Sequence, residues 1–183
     1  MRKFLSAAAL AAAIVSSQAS AQTVSVGGQA MYSTKDIVDN AVNSADHTTL
    51  VAAVKAAGLV QTLKGKGPYT VFAPVNDAFE NLPDGTVATL LKPENKSALT
   101  KVLTYHVVAG AYDAAALEKM IKKGNGMAKL ATASGGTLTA SMNGARNIVI
   151  MDESGGTARI STYNVYQSNG VIQVIDKVLL PKM

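Results

Sequence analysis

The sequence predicts an α+β protein, with helices concentrated in its first two thirds and strands in its last third. Apolar residues recur at helical spacing in several segments between residues 34 and 123. From residue 129 onward, short strand-like runs alternate with turn residues. The tetrapeptide Ser-Gly-Gly-Thr occurs at 134–137 and again at 154–157, which predicts the turns of two hairpins. Because helices and strands are segregated along the chain, an alternating βαβ fold is not expected.

The first 21 residues have the pattern of a secretory signal. Arg2 and Lys3 form a basic start, an apolar run follows over 4–15, and Ala19-Ser20-Ala21 is a small-residue cleavage site. We therefore expect export to the periplasm or the cell exterior. Residues 22–34 are small and polar and include Gly27-Gly28, which predicts a flexible lead-in to a domain over 35–181.

Composition excludes several kinds of protein. The chain has 183 residues, of which 48% are hydrophobic and 16% charged, so a globular domain with a real core is expected. It has no cysteine, which excludes disulfides, thiolate metal sites and lipid attachment through cysteine. The formal net charge is +5, but the basic residues are scattered, so no nucleic-acid partner is expected. No second long apolar run follows the N-terminus, so no transmembrane segment is expected in the body of the chain.

The predicted helices begin at capping residues or prolines and carry their apolar residues on one face. The expected caps are Thr34, Asp46, Asn76 and Asp113, and two further helices are expected to start at Pro83 and Pro93. Gly58 is expected to end the second of these helices, and Lys122-Lys123-Gly124 the last.

The predicted strands are runs of β-branched, aromatic and aliphatic residues bounded by turn residues. They cover residues 69–73, 105–108, 129–131, 137–142, 147–151, 158–161 and 171–178. In the last run, Ile172, Val174 and Asp176 share one face, so Asp176 is expected to accept hydrogen bonds from a backbone or Tyr/His donor.

Three stretches then resemble one family, the fasciclin-type (FAS1) adhesion domain. They are Tyr-Thr-Val-Phe-Ala-Pro-Val-Asn-Asp-Ala-Phe at 69–79, Leu-Thr-Tyr-His-Val-Val at 103–108, and Asn-Gly-Val-Ile-Gln-Val-Ile-Asp-Lys-Val-Leu-Leu-Pro at 169–181. The resemblance implies a wedge of two β-sheets with helices packed along one edge. The sequence departs from the family pattern at Val75, where Thr or Ser is usual, and at Gln173, where His is frequent.

The polar residues of these three stretches are interpreted first as residues that stabilise the fold. Five polar residues are expected to form a hydrogen-bonded network, namely Asn76, Asp77, Tyr105, His106 and Asp176. His106 is the best catalytic candidate, since histidine titrates near neutrality, but we expect a satisfied, partly buried imidazole bonded to Asn76, Asp77 or backbone. His47, and the acid pair Asp152-Glu153, are expected to be solvated.

Motifs for catalysis or cofactors are missing from the sequence. It has no Gly-x-Ser-x-Gly elbow, no Ser-x-x-Lys, no calcium loop and no His-x-x-x-His spacing. We therefore expect no enzyme activity, no cofactor and no metal.

Binding is the remaining class, and two hypotheses stay open. The resemblance implies adhesion, with a cell-surface or matrix protein or polysaccharide as partner. The alternative is a carrier of an apolar small molecule, a lipid or a carotenoid-like pigment, in a groove between helices and sheet. The residues expected to line such a groove are Leu50, Val54, Leu59, Val60 and Met120. In either case we expect a monomer.

Overall fold

Seven α-helices and nine strands are distributed over residues 23–182, the part of the chain that the computed structural model describes. The helices are α1 (Ile37–Ala41), α2 (Thr48–Ala57), α3 (Val60–Leu63), α4 (Asn76–Glu80), α5 (Thr86–Leu90), α6 (Lys96–Tyr105) and α7 (Ala114–Lys123). Short 3₁₀ turns at Ala45–His47 and Pro93–Asn95 lead into α2 and α6. The α+β class is as predicted, whereas the predicted signal over 1–21 lies outside the described residues.

The strands form one large mixed sheet and one small hairpin sheet. They are β1 (Thr23–Val26), β2 (Gln29–Tyr32), β3 (Tyr69–Pro74), β4 (Val107–Ala109), β5 (Met127–Ala131), β6 (Thr137–Asn143), β7 (Asn147–Met151), β8 (Thr157–Gln167) and β9 (Gly170–Ile175). The seven-stranded sheet has the order β4-β3-β9-β8-β7-β6-β5, in which only the β3–β9 pair is parallel. The repeated Ser-Gly-Gly-Thr turns join β5 to β6 and β7 to β8, as predicted.

The large sheet curls until its two ends meet. Val108 of β4 forms a β-bridge with Thr132, just beyond β5, and the amide of Ala133 donates to the carbonyl of Val107 at 2.8 Å. This curl gives the sheet an inner face and an outer face, and each is covered by its own set of apolar side chains.

Two cores therefore flank the central strands β3 and β9. Inside the curled sheet, Phe72, Leu117, Ile148 and Ile175 belong to one cluster that α7 closes. On the other face, Val71 and Val174 belong to a cluster shared with α1, α2, α3 and α6. Residues 171–175 are buried on both faces for this reason, although a strand with one wet face would alternate.

The predicted flexible lead-in is an antiparallel hairpin instead. β1 and β2 pair from Thr23 opposite Tyr32 to Val26 opposite Gln29. Gly27 and Gly28 both have positive φ, as a two-residue hairpin turn requires. Val26 and Met31 are buried against the helical core, so hydrophobic contact with distant elements holds a segment whose composition looked unstructured.

Some helix boundaries differ from the prediction, and others agree with it. Asp36, not Thr34, caps α1 by accepting from the amide of Asp39 at 2.8 Å. Tyr105, predicted in a strand, is the last residue of α6, and β4 begins at Val107. Asp113 caps α7 as predicted, accepting from the amide of Ala116 at 2.8 Å.

Among residues 23–182, no helix has both the length and the apolar character needed to cross a membrane.

Candidate binding site

An apolar cavity of about 130 Å³ lies between the helical layer and the outer face of the central strands. Its lining side chains come from α1, α2, α3, α6, β3, β4 and β9. Most are aliphatic, including Ile37, Val38, Leu50, Val51, Val54, Leu59, Val60, Leu63, Val71, Leu103, Val107 and Ile172. An apolar cavity of about 150 Å³ stays dry and accepts benzene in another protein, so this cavity has room for one small ring.

Four of the five residues predicted for a groove line this cavity. Leu50 and Val54 project from α2, while Leu59 and Val60 lie at the start of α3. The prediction is wrong for Met120, which lies on α7 and packs against the core inside the curled sheet. Helical spacing identifies which face of α7 is apolar, but not which side of the sheet that helix covers.

Polar side chains lie around the cavity at its outer rim. Lys55 and Thr62 are exposed, and Thr104 is half-buried. The hydroxyl of Thr104 donates to the carbonyl of Thr100 at 2.7 Å within its own helix. The rim is therefore where a bound molecule would meet water, and the interior offers it hydrocarbon.

A smaller void of about 10 Å³ adjoins the cavity. It is lined by Ser44 and His47 together with apolar side chains of the hairpin and the central strands. Ala41, Ala73 and Ile172 line both spaces, so these three residues form the wall between them.

His47 is buried at this point, with 3% of its surface exposed. Its Nδ1 is 2.8 Å from the Ser44 hydroxyl, while its Nε2 has no hydrogen-bond partner among the described residues. Burial lowers the pKa of His47, an effect that the Ala73 backbone and Asp46 partly oppose. The prediction of a solvated His47 is therefore wrong. One signal could have located it: His47, Leu50, Val51 and Val54 follow the spacing of a single apolar helix face.

His106 is fully enclosed and uses both ring nitrogens on backbone. Nδ1 lies 2.8 Å from the Val102 carbonyl, which can only accept, so Nδ1 carries the proton. Nε2 then accepts from the Leu179 amide at 3.0 Å. Burial lowers the pKa of His106 to about 4, so the ring is neutral at pH 7. This imidazole joins α6 to the C-terminal segment, residues 176–182, and leaves no ring nitrogen free to act as an acid or a base.

Tyr105 lies inside the curled sheet and connects two of its turns. Its hydroxyl donates to the Thr137 carbonyl at 2.9 Å and accepts from the Glu153 amide at 3.0 Å. Burial raises the pKa of the Tyr105 phenol. Tyr105 and His106, although adjacent in sequence, therefore bond to different parts of the chain.

The remaining three members of the predicted network lie apart from this pair. Asn76 accepts from the Thr49 amide at 3.1 Å and so caps α2 rather than its own helix. Asp176 is half-buried and accepts from the Arg159 amide at 2.7 Å. Asp77 is exposed, and its carboxylate makes no hydrogen bond to a described residue. The five residues thus make separate local contacts rather than one network.

Asp152, predicted to be solvated, is instead a buried anchor with 8% of its surface exposed. Its Oδ1 accepts from the amides of Ser154 and Gly156, at 2.9 and 2.7 Å, and its Oδ2 accepts from Leu180 at 3.0 Å. The neighbouring Glu153 accepts from the Thr137 amide at 2.9 Å. The sequence placed these acids in a turn but carried no sign that the C-terminal segment would cover them.

Gln173, which departs from the family pattern, is fully buried in β9. Its Oε1 accepts from the Asn164 amide at 3.0 Å, and its Nε2 donates to the Tyr112 carbonyl at 3.1 Å. Its amide thereby supports the irregular part of β8, where Asn164 has a φ of 57°. Within residues 23–182, no cluster of three His, Asp or Glu side chains could hold a metal ion.

A family model for the fasciclin domain matches residues 45–181. The chain belongs to the fasciclin domain family. The matched residues include α2, all seven strands of the large sheet and the C-terminal segment that His106 and Asp152 hold. The cavity wall formed by α1 lies just before the matched region, at Ile37–Ala41.

Relatives of this fasciclin domain cover most of its length. Protein sll1483 of Synechocystis sp. is 44% identical over 158 residues, which is 86% of this chain and 80% of that protein. Immunogenic protein MPB70 of Mycobacterium bovis is 35% identical over 146 residues, 77% of this chain and 66% of that protein. Cell surface glycolipoprotein MPB83 of Mycobacterium bovis is 36% identical over 123 residues, 67% of this chain and 48% of that protein.

A solved structure of a FAS1 domain pair from the insect cell adhesion molecule fasciclin I has the same fold. The TM-score is 0.70 at 18% identity, and the match covers 80% of this chain and 51% of that one. This fasciclin domain thus spans about half of that structure, and at this identity the likeness shows the fold alone.

Proposed function

We propose that this fasciclin domain is an interaction module that mediates adhesion outside the cytoplasm, with a cell-surface or matrix protein or polysaccharide as its partner. The observation that carries the proposal is the family membership together with what its relatives are. One is described as a cell surface glycolipoprotein, and the matching fold comes from a cell adhesion molecule. The secretory pattern of residues 1–21 supports export to the periplasm or the exterior.

Binding rather than catalysis is also what the polar side chains favour. The fasciclin family is in general non-enzymatic. In this chain, the side chains of Tyr105, His106 and Asp152 form their hydrogen bonds with backbone groups. A catalytic acid or base needs a free position toward substrate, so these buried groups support a structural role.

The outer face of the sheet offers a candidate contact surface. Met127 on β5 is 56% exposed and Met151 on β7 is 37% exposed. Both point away from the core, because their neighbours Ala128 and Ile150 are buried inside the curled sheet. Exposed methionines adapt to different partner shapes, which suits a recognition surface.

Lysine substitution at both Met127 and Met151 is expected to weaken the attachment of cells of the native host about tenfold, which is the scale of an interface anchor residue. The control is the pair Tyr32→Lys with Val42→Lys, which alters two exposed side chains elsewhere by the same charge. The measurement is the number of native-host cells that attach to surfaces coated with each purified protein. An equal loss with both pairs would indicate a charge effect, and no attachment of the parent protein would contradict adhesion.

A second function, carriage of an apolar small molecule, is favoured by one specific observation. The 130 Å³ cavity is lined almost entirely by hydrocarbon and has a partly polar rim. Such a space binds apolar molecules because their hydrocarbon surface is removed from water, and it selects ligands by shape.

The Val54→Phe variant is expected to abolish retention of such a molecule, because the added ring occupies the cavity. Since the space is already present, we expect stability to change by less than about 1.5 kcal/mol. Organic extraction of protein purified from its native host, read by absorbance and mass spectrometry, measures the retained compound. Ile150→Val, which removes one methyl group from the other core, should retain it. An empty extract from the parent protein, with no host lipid or pigment able to saturate it, would contradict carriage.

A further inference from the structure

An open groove of about 460 Å³ is bordered by α4, α5 and the loop between these two helices. Most of the side chains that line it are apolar, and they include Phe79, Leu82, Pro83, Val87, Ala88 and Leu91. No residue of α5 is buried, so the apolar side chains of this helix remain accessible beside the groove. An apolar surface that its own domain leaves uncovered is suited to contact with another molecule.

Two exposed carboxylates, those of Glu80 and Asp84, also line this groove, which we call the acidic groove. No Lys or Arg is among its lining residues. Within residues 23–182, the ion pairs are those of Lys64 with Asp36 and Asp39, so neither groove carboxylate has a cationic partner there. A complementary partner therefore has an apolar side chain for the groove and cations beside it for the two carboxylates.

The opposite combination, an exposed apolar side chain among cations, occurs where α7 leads into β5. Met127 is 56% exposed and follows α7 after a tight turn, in which its amide donates to the Gly124 carbonyl at 3.3 Å. Exposed lysines precede and follow this methionine on the two elements, namely Lys119, Lys122, Lys123 and Lys129. None of them forms an ion pair with a carboxylate of residues 23–182. We call Met127 and these four lysines the methionine knob.

We propose that the protein self-associates head to tail, with the methionine knob of one copy in the acidic groove of the next copy. Charge selects this arrangement, because two knobs repel each other, two grooves repel each other, and a knob attracts a groove. Methionine is flexible and fits irregular apolar spaces. Lysine side chains can lay their hydrocarbon stems along the groove while their ammonium groups reach Glu80 and Asp84.

The knob and the groove are different surfaces, so the contact between two copies leaves one knob and one groove free. Such a contact adds further copies and builds chains, unless its rotation closes a ring. One methionine with its flanking lysines forms a small interface, and we expect a dissociation constant of about 0.1 mM. The protein is then a monomer in dilute solution, as the sequence predicts, and associates only at high concentration. Added salt should weaken the association, because the paired charges are exposed.

Self-association goes beyond the adhesion proposed above and is separable from it. Met127 also belongs to the contact surface proposed for adhesion, whereas Glu80 and Asp84 do not. A variant of the groove therefore changes self-association and leaves the adhesion surface intact.

Reversing the charge of one surface at a time tests the pairing. The groove variant combines Glu80→Lys with Asp84→Lys, and the knob variant combines Lys122→Glu with Lys123→Glu. Sedimentation equilibrium of the purified proteins from about 0.01 to 1 mM covers the expected dissociation constant. Each variant alone should associate at least about tenfold more weakly than the parent protein. An equimolar mixture of the two should associate as the parent does, because each reversed surface meets its complement on the other variant.

The matched control combines Lys66→Glu with Lys177→Glu, two exposed lysines outside both surfaces. It changes the net charge by the same amount as the knob variant and should associate as the parent protein does. Equal weakening by the control and the knob variant would show an effect of net charge and would contradict the knob.

The remaining outcomes decide the proposal and leave adhesion to its own test. A parent protein that stays monomeric at about 1 mM overturns it. A mixture of the two variants that stays monomeric shows that knob and groove do not face each other, which also overturns it. The amide signals of residues 79–91 and 119–129 should shift together in NMR spectra as the parent protein is concentrated. If the groove signals instead shift only when a peptide of lysine and leucine is added, the groove takes a segment of another protein and not a second copy. Loss of self-association with unchanged attachment of native-host cells would leave the adhesion proposal standing.

Discussion

Replacing His106 with alanine is expected to lower the free energy of unfolding by about 4 kcal/mol at pH 7. The substitution leaves the Val102 carbonyl and the Leu179 amide buried without partners, and it opens a cavity where the enclosed ring lay. Urea unfolding followed by circular dichroism measures the change. His106→Gln, which can restore one of the two bonds, should lose about half as much. A stability within about 1 kcal/mol of the parent protein, together with lost cell attachment, would show that His106 serves binding rather than structure.

The pH dependence gives this prediction a signature that a packing defect lacks. The pKa of His106 is about 4 in the folded protein, against 6.5 for an ordinary histidine. Between these values the unfolded chain binds the extra proton and the folded protein does not, so stability falls as the pH drops from 6.5 toward 4. The loss amounts to about 3 kcal/mol and ends below pH 4, where both states are protonated. His47, whose pKa is also lowered, is present in both proteins, so the difference between parent and His106→Gln isolates His106.

Replacing Asp152 with alanine is expected to lower the free energy of unfolding by about 3 kcal/mol. One carboxylate accepts from three backbone amides, those of Ser154, Gly156 and Leu180. Its loss would loosen the β7–β8 turn and the C-terminal segment together. Urea unfolding gives the magnitude, and hydrogen exchange at the three amides gives the location.

Asp84→Ala is the matched control for Asp152, since Asp84 is exposed and makes no hydrogen bond to a described residue. It should change stability by less than about 0.5 kcal/mol. Asp152→Asn should fall between the two, because its amide nitrogen would face the Leu180 amide where Oδ2 now accepts. Unchanged exchange at Leu180 in the alanine variant would contradict the anchoring role.

Local patterns predicted most of the elements, and they failed where a distant segment decides the outcome. Asp113 was identified as a cap because its partner is the amide of Ala116, three residues away. Asn76 looked like a cap by the same rule, but its side chain bonds Thr49, 27 residues earlier. The segment predicted to be a flexible lead-in is a hairpin, because Val26 and Met31 pack against a core formed by other parts of the chain.

At the candidate site, too, local sequence patterns predicted some residues correctly and failed where a distant segment decides the position. Helical spacing on α2 identified Leu50 and Val54 as cavity residues, since they share one face with the rest of an apolar stripe. Met120 has an equally apolar setting on α7, but that helix covers the other side of the sheet. His47 was missed because its burial depends on the hairpin above it, which the composition of residues 22–34 did not indicate.

The sequence by itself determined the α+β class, the hairpin turns, the family and the apolar faces of the helices, since each depends on residues close together in the chain. The tertiary structure decided the parallel pairing of β3 with β9, which are 101 residues apart where Tyr69 lies opposite Gly170, and with it the two cores. It also decided the burial of His47 and Asp152, which were expected to be solvated. The physical reason is that the spacing of apolar side chains along a helix or strand is a local property of the sequence. Burial depends instead on which surfaces meet when the chain packs.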